Sequence, residues 1–220
     1  MTRRANLAHR CPGCLLHRSL CLCAELPRLE THTRVFLLMH RSEAQKPTNT
    51  GRLAARSLTN CELVVRGDRA QGEPPVSWPA GSTPLLLFPA DGAAPLAELA
   101  RAATGPITLI VPDGTWRQAF KVQHRVPSLA GMARARLPDG PPTAYRLRAP
   151  VHPSGLSTIE AIARALGVLE GAHVEAALLR VFQTMVDRTL WARGALAREL
   201  VFGGVPEGAS QHDPGRPATR

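Results

Sequence analysis

Four apolar residues, Ile107, Leu109, Ile110 and Val111, with Thr108 among them, lead into Pro112 and then at once into Asp113-Gly114-Thr115-Trp116. The run shows no polar alternation, so it reads as a strand buried on both faces, which belongs to a parallel sheet covered by helices. Pro112 ends the pairing, Gly114 permits a sharp turn, and Thr115 caps a helix that starts at Trp116. In open sheets of this kind ligands gather at the carboxyl ends of the strands, which is where Asp113 falls. The residues alone leave two readings of Asp113, a helix cap and an acid at a ligand site. Trp116 likewise reads either as core or as site wall.

The same order of strand, polar loop and helix recurs earlier in the chain. Residues 33–39 form a second buried strand, followed by a loop that holds His40, Glu43, Lys46, Asn49 and Thr50 and by a helix from Arg52. Loops at strand ends carry function out of proportion to their length. Residues 61–65 make a short strand with Cys61 inside it, and 66–83 a loop rich in Gly and Pro that contains Trp78. Residues 84–89 are another buried strand. Asp91 then stands as an acid or a cap before a helix that buries Leu96 and Leu99. The helix from 116 to 125 carries Arg117, Lys121, His124 and Arg125, a basic face that solvation alone would also explain. Residues 133–137 and 143–148 alternate like short strands. Ser157-x-x-Glu160 is a capping box that opens a helix with Ile159, Ile162, Leu166 and Leu169 on one face. A second long helical region covers 172–197.

Cysteine usage points to a separate small unit. Four of the five cysteines, Cys11, Cys14, Cys21 and Cys23, lie close together, and the first pair has the C-x-x-C spacing of a metal knuckle. Thiolates select zinc, and a closed set of four would be structural. His17 is a fifth candidate ligand, and a redox pair or free thiols are the other readings. The chain has 220 residues, fitting one domain with a small appendage. We expect a cysteine-rich zinc-binding segment at 1–28, a catalytic domain at 29–202 and a disordered tail at 203–220. There is no apolar run long enough to span a membrane and no signal-peptide core, which predicts a cytoplasmic protein.

The net charge is +10, and lysine occurs only at Lys46 and Lys121, so 25 of the 27 Lys and Arg residues are arginine. Arginine's planar fork suits phosphate, so the excess reads either as the electrostatic footprint of a nucleic-acid partner or as the compositional bias of a GC-rich genome.

Asp113-Gly114-Thr115-Trp116 resembles the D-x-T-W signature of the DTW-domain family. Further matches follow in family order: the cysteine cluster, His40 with Glu43, Asn49 and Thr50, the Leu87-x-Pro89 turn, and Ser157, Thr158, Glu160 and Ala161. The resemblance implies an α/β, mostly parallel sheet flanked by helices, similar to the SPOUT class, whose carboxyl-terminal part is threaded into a knot. It implies a tRNA-uridine aminocarboxypropyltransferase, which transfers the 3-amino-3-carboxypropyl group of S-adenosylmethionine to N3 of a uridine in tRNA. Asp113 would take the N3 proton or hold the cofactor's ammonium group. Leu87, Pro89, Thr115, Trp116, Ser157, Thr158 and Glu160 would line the cofactor site. His40, Glu43, Asn49, Thr50, Arg52 and Arg117 would meet the RNA. Two other readings share most of these features: a SPOUT-like RNA methyltransferase using the same cofactor, and a zinc-knuckle RNA-binding protein without enzymatic activity.

Overall fold

The computed structural model describes residues 8–68, 75–147 and 155–211. At its centre lies a six-stranded sheet in which every pairing is parallel. In chain order the strands are β1 (Arg34–His40), β2 (Cys61–Arg66), β3 (Thr83–Leu87), β4 (Ala94–Pro95), β5 (Ile107–Asp113) and β6 (Arg134–Arg136). Across the sheet they run β2-β1-β5-β3-β6-β4. The apolar run from Ile107 is therefore an inner strand, between two strands that precede it in the chain. The helices are α1 (Gly51–Ser57), α2 (Leu96–Ala102), α3 (Trp116–Arg125), α4 (Thr158–Leu169) and α5 (Ala172–Ala192).

Strand alternation sorts the core into two layers. Val35, Leu37 and Met39 of β1 and Leu109 and Val111 of β5 pack with residues of α1, α4 and α5. Phe36, Leu38, Leu86 and Ile110 face the other way, with Phe88, Val126 and Leu129 against them and Trp78 covering part of the layer. The cysteine-rich segment joins the first layer through Leu16, Leu20 and Leu22. It is pinned there by Arg188 of α5, only 3% exposed, whose guanidinium donates to both carboxylate oxygens of Glu25 at 2.7 and 2.9 Å.

Several local expectations change. β5 does not stop at Val111 but runs on through Pro112 and Asp113 beside β1, with Met39 opposite Asp113. Its pairing with β3 ends at Ile110, and a proline is tolerated where one neighbour has left off. Residues 143–147 are irregular rather than a strand. The N–H groups of Ala144 and Tyr145 go instead to Glu160 and to the Thr143 hydroxyl. Residues 148–154 lie outside the described residues. Asp91 sits in an exposed turn too early to cap α2, whose N-cap is Pro95. α5 ends at Ala192, short of residue 197, because Gly194 takes a positive φ of 70°. Of residues 203–220, those up to 211 are described. The carbonyls of Gly203 and Gly204 accept from Arg188 at 3.1 and 2.9 Å.

Candidate active site

Asp113 continues the row begun by Leu109 and Val111, so it points toward the side covered by α1 and α4. It is 6% exposed. Its Oδ2 accepts from Asn49 Nδ2 at 2.7 Å and its Oδ1 from the Thr158 hydroxyl at 2.6 Å. Both donors stand at helix starts. Asn49 Oδ1 also accepts from the Arg52 amide at 3.0 Å and so caps the first turn of α1. Thr158 is the first residue of α4. The carboxylate thus lies between the positive ends of two helices, which favours a negative charge there. Gly51 makes this possible: a Cβ on it would fall 2.6 Å from Asp113 Oδ2. Thr50 links the two helices directly, its hydroxyl accepting from the Ile159 amide at 3.3 Å.

Beyond β1, His40 meets the first turn of α3. Thr115 and Gln118 form a capping box, with the Thr115 amide donating to Gln118 Oε1 at 2.8 Å. Gln118 Nε2 then lies 3.1 Å from His40 Nδ1, which also accepts from the Ser42 amide at 3.2 Å. The Ser42 hydroxyl lies 2.8 Å from the same nitrogen. Glu43, 4% exposed, accepts from Lys46 at 2.5 Å. Arg52 donates to the Ala44 carbonyl, yet its Nε is buried without a partner among the described residues. Burial, with Arg56 nearby, pulls the Arg52 pKa down, and Asp113 opposes that.

A cavity of about 670 Å³ opens at the carboxyl ends of β3, β5 and β6. That size suits a nucleoside-sized ligand. Leu87, Pro89, Trp116 and Thr158, four residues expected at a cofactor site, line it. The others stand just behind. Thr115 is occupied as a cap. Glu160 is buried, its Oε2 accepting from the Ser157 amide at 2.8 Å and the Thr143 hydroxyl at 2.7 Å, its Oε1 from the Ala144 amide at 2.7 Å. The Ser157 hydroxyl faces the third amide of α4 in the capping-box arrangement but too loosely to bond, and its oxygen is buried without a partner. Asp113 does not line the cavity; its neighbours Pro112 and Gly114 do. A base role for it requires that a substrate atom reach a carboxylate that is 6% exposed and already accepts from Asn49 and Thr158.

One wall of the cavity had no counterpart in the sequence reading. It is the segment Leu137-Pro138-Asp139-Gly140-Pro141-Pro142-Thr143, with Arg136 before it and Arg164 of α4 across from it. Arg164 donates to the Pro141 carbonyl at 2.7 Å, and a Cβ on Gly140 would fall 2.9 Å from its Cζ. The segment has no hydrophobic period. Its only sequence signal is a proline-stiffened turn at the end of a strand.

The four clustered cysteines converge. All four Sγ atoms lie within 4.8 Å of one another, with Cys11 and Cys23 at 3.6 Å and Cys14 and Cys21 at 3.8 Å. Gly13 keeps the loop close, since a Cβ there would stand 2.7 Å from Cys23 Sγ. Burial pushes the Cys11 thiol up, but the amides of Cys14 and Gly13 and the thiols of Cys21 and Cys23 outweigh it and hold it at about 6. Burial pushes Cys14 up to about 12. A cation at the centre would hold all four as thiolates, so the donor set fits a metal ion. His17 is not part of it: its Nδ1 pairs with the Ser19 hydroxyl at 2.7 Å and caps a short 3₁₀ turn. Cys61 lies apart in β2, where burial pushes its thiol up to about 12.

A parallel sheet with a cavity at its strand ends and a four-cysteine cluster packed on its core define an open-sheet α/β domain. No helix among the described residues is long and apolar enough to cross a membrane. The chain belongs to the DTW-domain family, whose model matches residues 8–190. It is 30% identical over 183 residues to the tRNA-uridine aminocarboxypropyltransferase 2 of Macaca fascicularis, covering 80% of this chain and 61% of that protein. With the protein of the same name from Drosophila melanogaster it shares 28% identity over 191 residues, 82% of this chain and 74% of the relative. The chain therefore spans less than two thirds of the first of these relatives. Among solved structures it matches that of the SAM-dependent rRNA:acp-transferase Tsr3 from Vulcanisaeta distributa. The TM-score is 0.45 and the identity 21%, over 82% of this chain and 85% of that one.

Proposed function

We propose that the protein transfers the 3-amino-3-carboxypropyl group of S-adenosylmethionine to N3 of a uridine in tRNA, releasing 5'-methylthioadenosine. The observation that carries this reading is the cavity at the ends of β3, β5 and β6, which gathers Leu87, Pro89, Trp116 and Thr158 in its lining. The names of the two curated relatives support it. The residues present fit the cofactor. Leu87, Phe88, Val111, Leu137 and Leu156 offer an apolar lining for a purine and a thioether. Arg164 of α4, which lines the cavity, suits the methionine carboxylate.

In the reaction N3 loses its proton and bonds to Cγ, while the Cγ–S bond breaks and its electron pair stays on sulfur. The sulfonium already leaves as a neutral thioether, so no acid is needed at the leaving group. What remains for the protein is to hold Cγ in line with N3, a contribution of several kcal/mol, and to accept one proton. Asp113 enters first as a positioning residue, fixing Asn49 and Thr158. It takes the proton once N3 reaches this carboxylate, which is 6% exposed and held by Asn49 and Thr158. On the RNA side we place His40, Arg52 and the exposed Arg117, with Glu43, Asn49 and Thr50 bracing them from inside.

The cysteine cluster reads as a structural zinc site. Zn–S bonds of about 2.3 Å in a tetrahedron put the sulfurs about 3.8 Å apart, close to the 3.6 and 3.8 Å seen here. Clustered thiols stay reduced in a cytoplasmic setting, and we place the protein there. The experiment is nucleoside mass spectrometry of tRNA incubated with the protein and S-adenosylmethionine. We expect one uridine heavier by about 101 Da; a gain of about 14 Da would mean methyl transfer and overturn the reading, since the carbon attacked alone separates the two.

A further inference from the structure

α3 carries two parallel stripes that reach the cavity only at Trp116. Trp116, Phe120 and His124 recur every fourth residue and so share one side of the helix. Arg117, Lys121 and Arg125 recur with the same spacing, one position further round. All six are exposed. Phe120 is 51% exposed and Trp116 38%, among the largest apolar exposures of the described residues. The aromatic stripe is continuous and braced. Phe120 lies 4.8 Å from His124, ring centre to ring centre, and the buried Phe88 supports Trp116 at 5.9 Å and Phe120 at 6.4 Å. The stripe also has a direction: Trp116 lines the cavity, and Phe120 and His124 lead away from its mouth.

An aromatic strip beside a basic strip is what an unpaired nucleic-acid strand needs, rings to stack its bases and cations to follow its phosphates. We propose that the outer face of α3 is a stacking platform for unpaired bases next to the target uridine, with Phe120 and His124 under the bases and Lys121 and Arg125 along the backbone. This rests on reading the cavity as the transfer site, because the platform begins at its wall. A second copy of the chain is the poorer occupant, since it would bring the same cations against these, on a chain of net charge +10.

The test compares the wild type with Phe120→Leu, which keeps an apolar contact with Phe88 but has no π face, and with Phe120→Tyr, which keeps the ring. Filter binding of substrate tRNA is the readout, with calorimetry of S-adenosylmethionine binding beside it. We expect Phe120→Leu to weaken tRNA binding roughly tenfold with unchanged affinity for S-adenosylmethionine, and Phe120→Tyr to bind tRNA as the wild type does. Replacing Lys121 and Arg125 by alanine should lower the slope of log affinity against log salt by roughly 2. The platform is overturned if Phe120→Leu binds tRNA normally. It is also overturned if that variant loses S-adenosylmethionine affinity to the same extent, or if it changes the sedimentation of the free protein, which would make the face a self-interface. A wild type that binds tRNA through this face yet leaves every uridine unmodified would instead sink the transfer reading and leave the platform standing.

Discussion

Gly51 is the residue on which the arrangement around Asp113 depends most directly. It opens α1, where alanine is the better helix former by about 1 kcal/mol. On propensity alone Gly51→Ala would stabilise the protein. The added Cβ, however, would lie 2.6 Å from Asp113 Oδ2 and 3.1 Å from Leu37 Cδ2. We predict a net loss of about 1–3 kcal/mol, typical of overpacking, together with weakened S-adenosylmethionine binding as Thr158 loses its fixed partner. Thermal melting and calorimetry check this; a variant that melts higher and binds normally would show that the carboxylate does not need its present position. At this scale the sequence was informative about identity and silent about partnership. Asp113, Asn49 and Thr158 each stood out in a separate motif, but no local pattern says that one carboxylate joins the other two across 64 and 45 residues of chain. Nor does a glycine at a helix start announce that it is there for a neighbour's oxygen rather than for its own backbone.

Among the elements, the amino-terminal turn of α4 and the proline-rich segment before it act as one piece. Glu160 joins them with three accepted hydrogen bonds, one from its own cap and two from residues 143 and 144. Glu160→Gln would put an amide NH₂ against a donor at one oxygen position while hardly changing volume. A buried donor left without an acceptor costs about 1–3 kcal/mol. We predict that loss in urea unfolding, along with reduced S-adenosylmethionine affinity, because residues 137–143 form a cavity wall. A stable variant with normal affinity would uncouple the segment from the site. The capping box was legible because its spacing is local. The other half of Glu160's work was not, and residues 143–148 looked like a strand only because their side chains alternate. Alternation describes a half-buried extended chain, and without a neighbouring strand such a chain gives its amides to whatever acceptor is at hand, here a carboxylate.

For the molecule as a whole, the cysteine-rich segment is part of the core rather than an attachment to it. Leu16, Leu20 and Leu22 are each 3% exposed or less, and the turns that present them are held by four thiols in contact. We predict one metal ion per chain and, after its removal by a strong chelator, a fall in melting temperature of roughly 5 °C or more. That corresponds to about 2 kcal/mol for a chain of this size. Elemental analysis and a melting curve before and after chelation check it; an unchanged melt would mean that the thiols hold their place unaided. The parallel class of the sheet was readable from its unbroken apolar runs, since strands with no polar face need helices on both sides. The order of the strands was not readable, because pairing in a parallel sheet is fixed by crossovers and not by any adjacent turn.

That order bears on how the protein is made. β1 and β3 both leave the ribosome before β5, the strand that must come to lie between them. Until Ile107–Asp113 emerges, the nascent chain carries two apolar edges that would pair wrongly if they met. The carboxylate at the end of the late strand then has to wait again, for Thr158. A chaperone that shields those edges during synthesis would therefore guard the assembly of the site, which needs Asn49, Asp113 and Thr158 together.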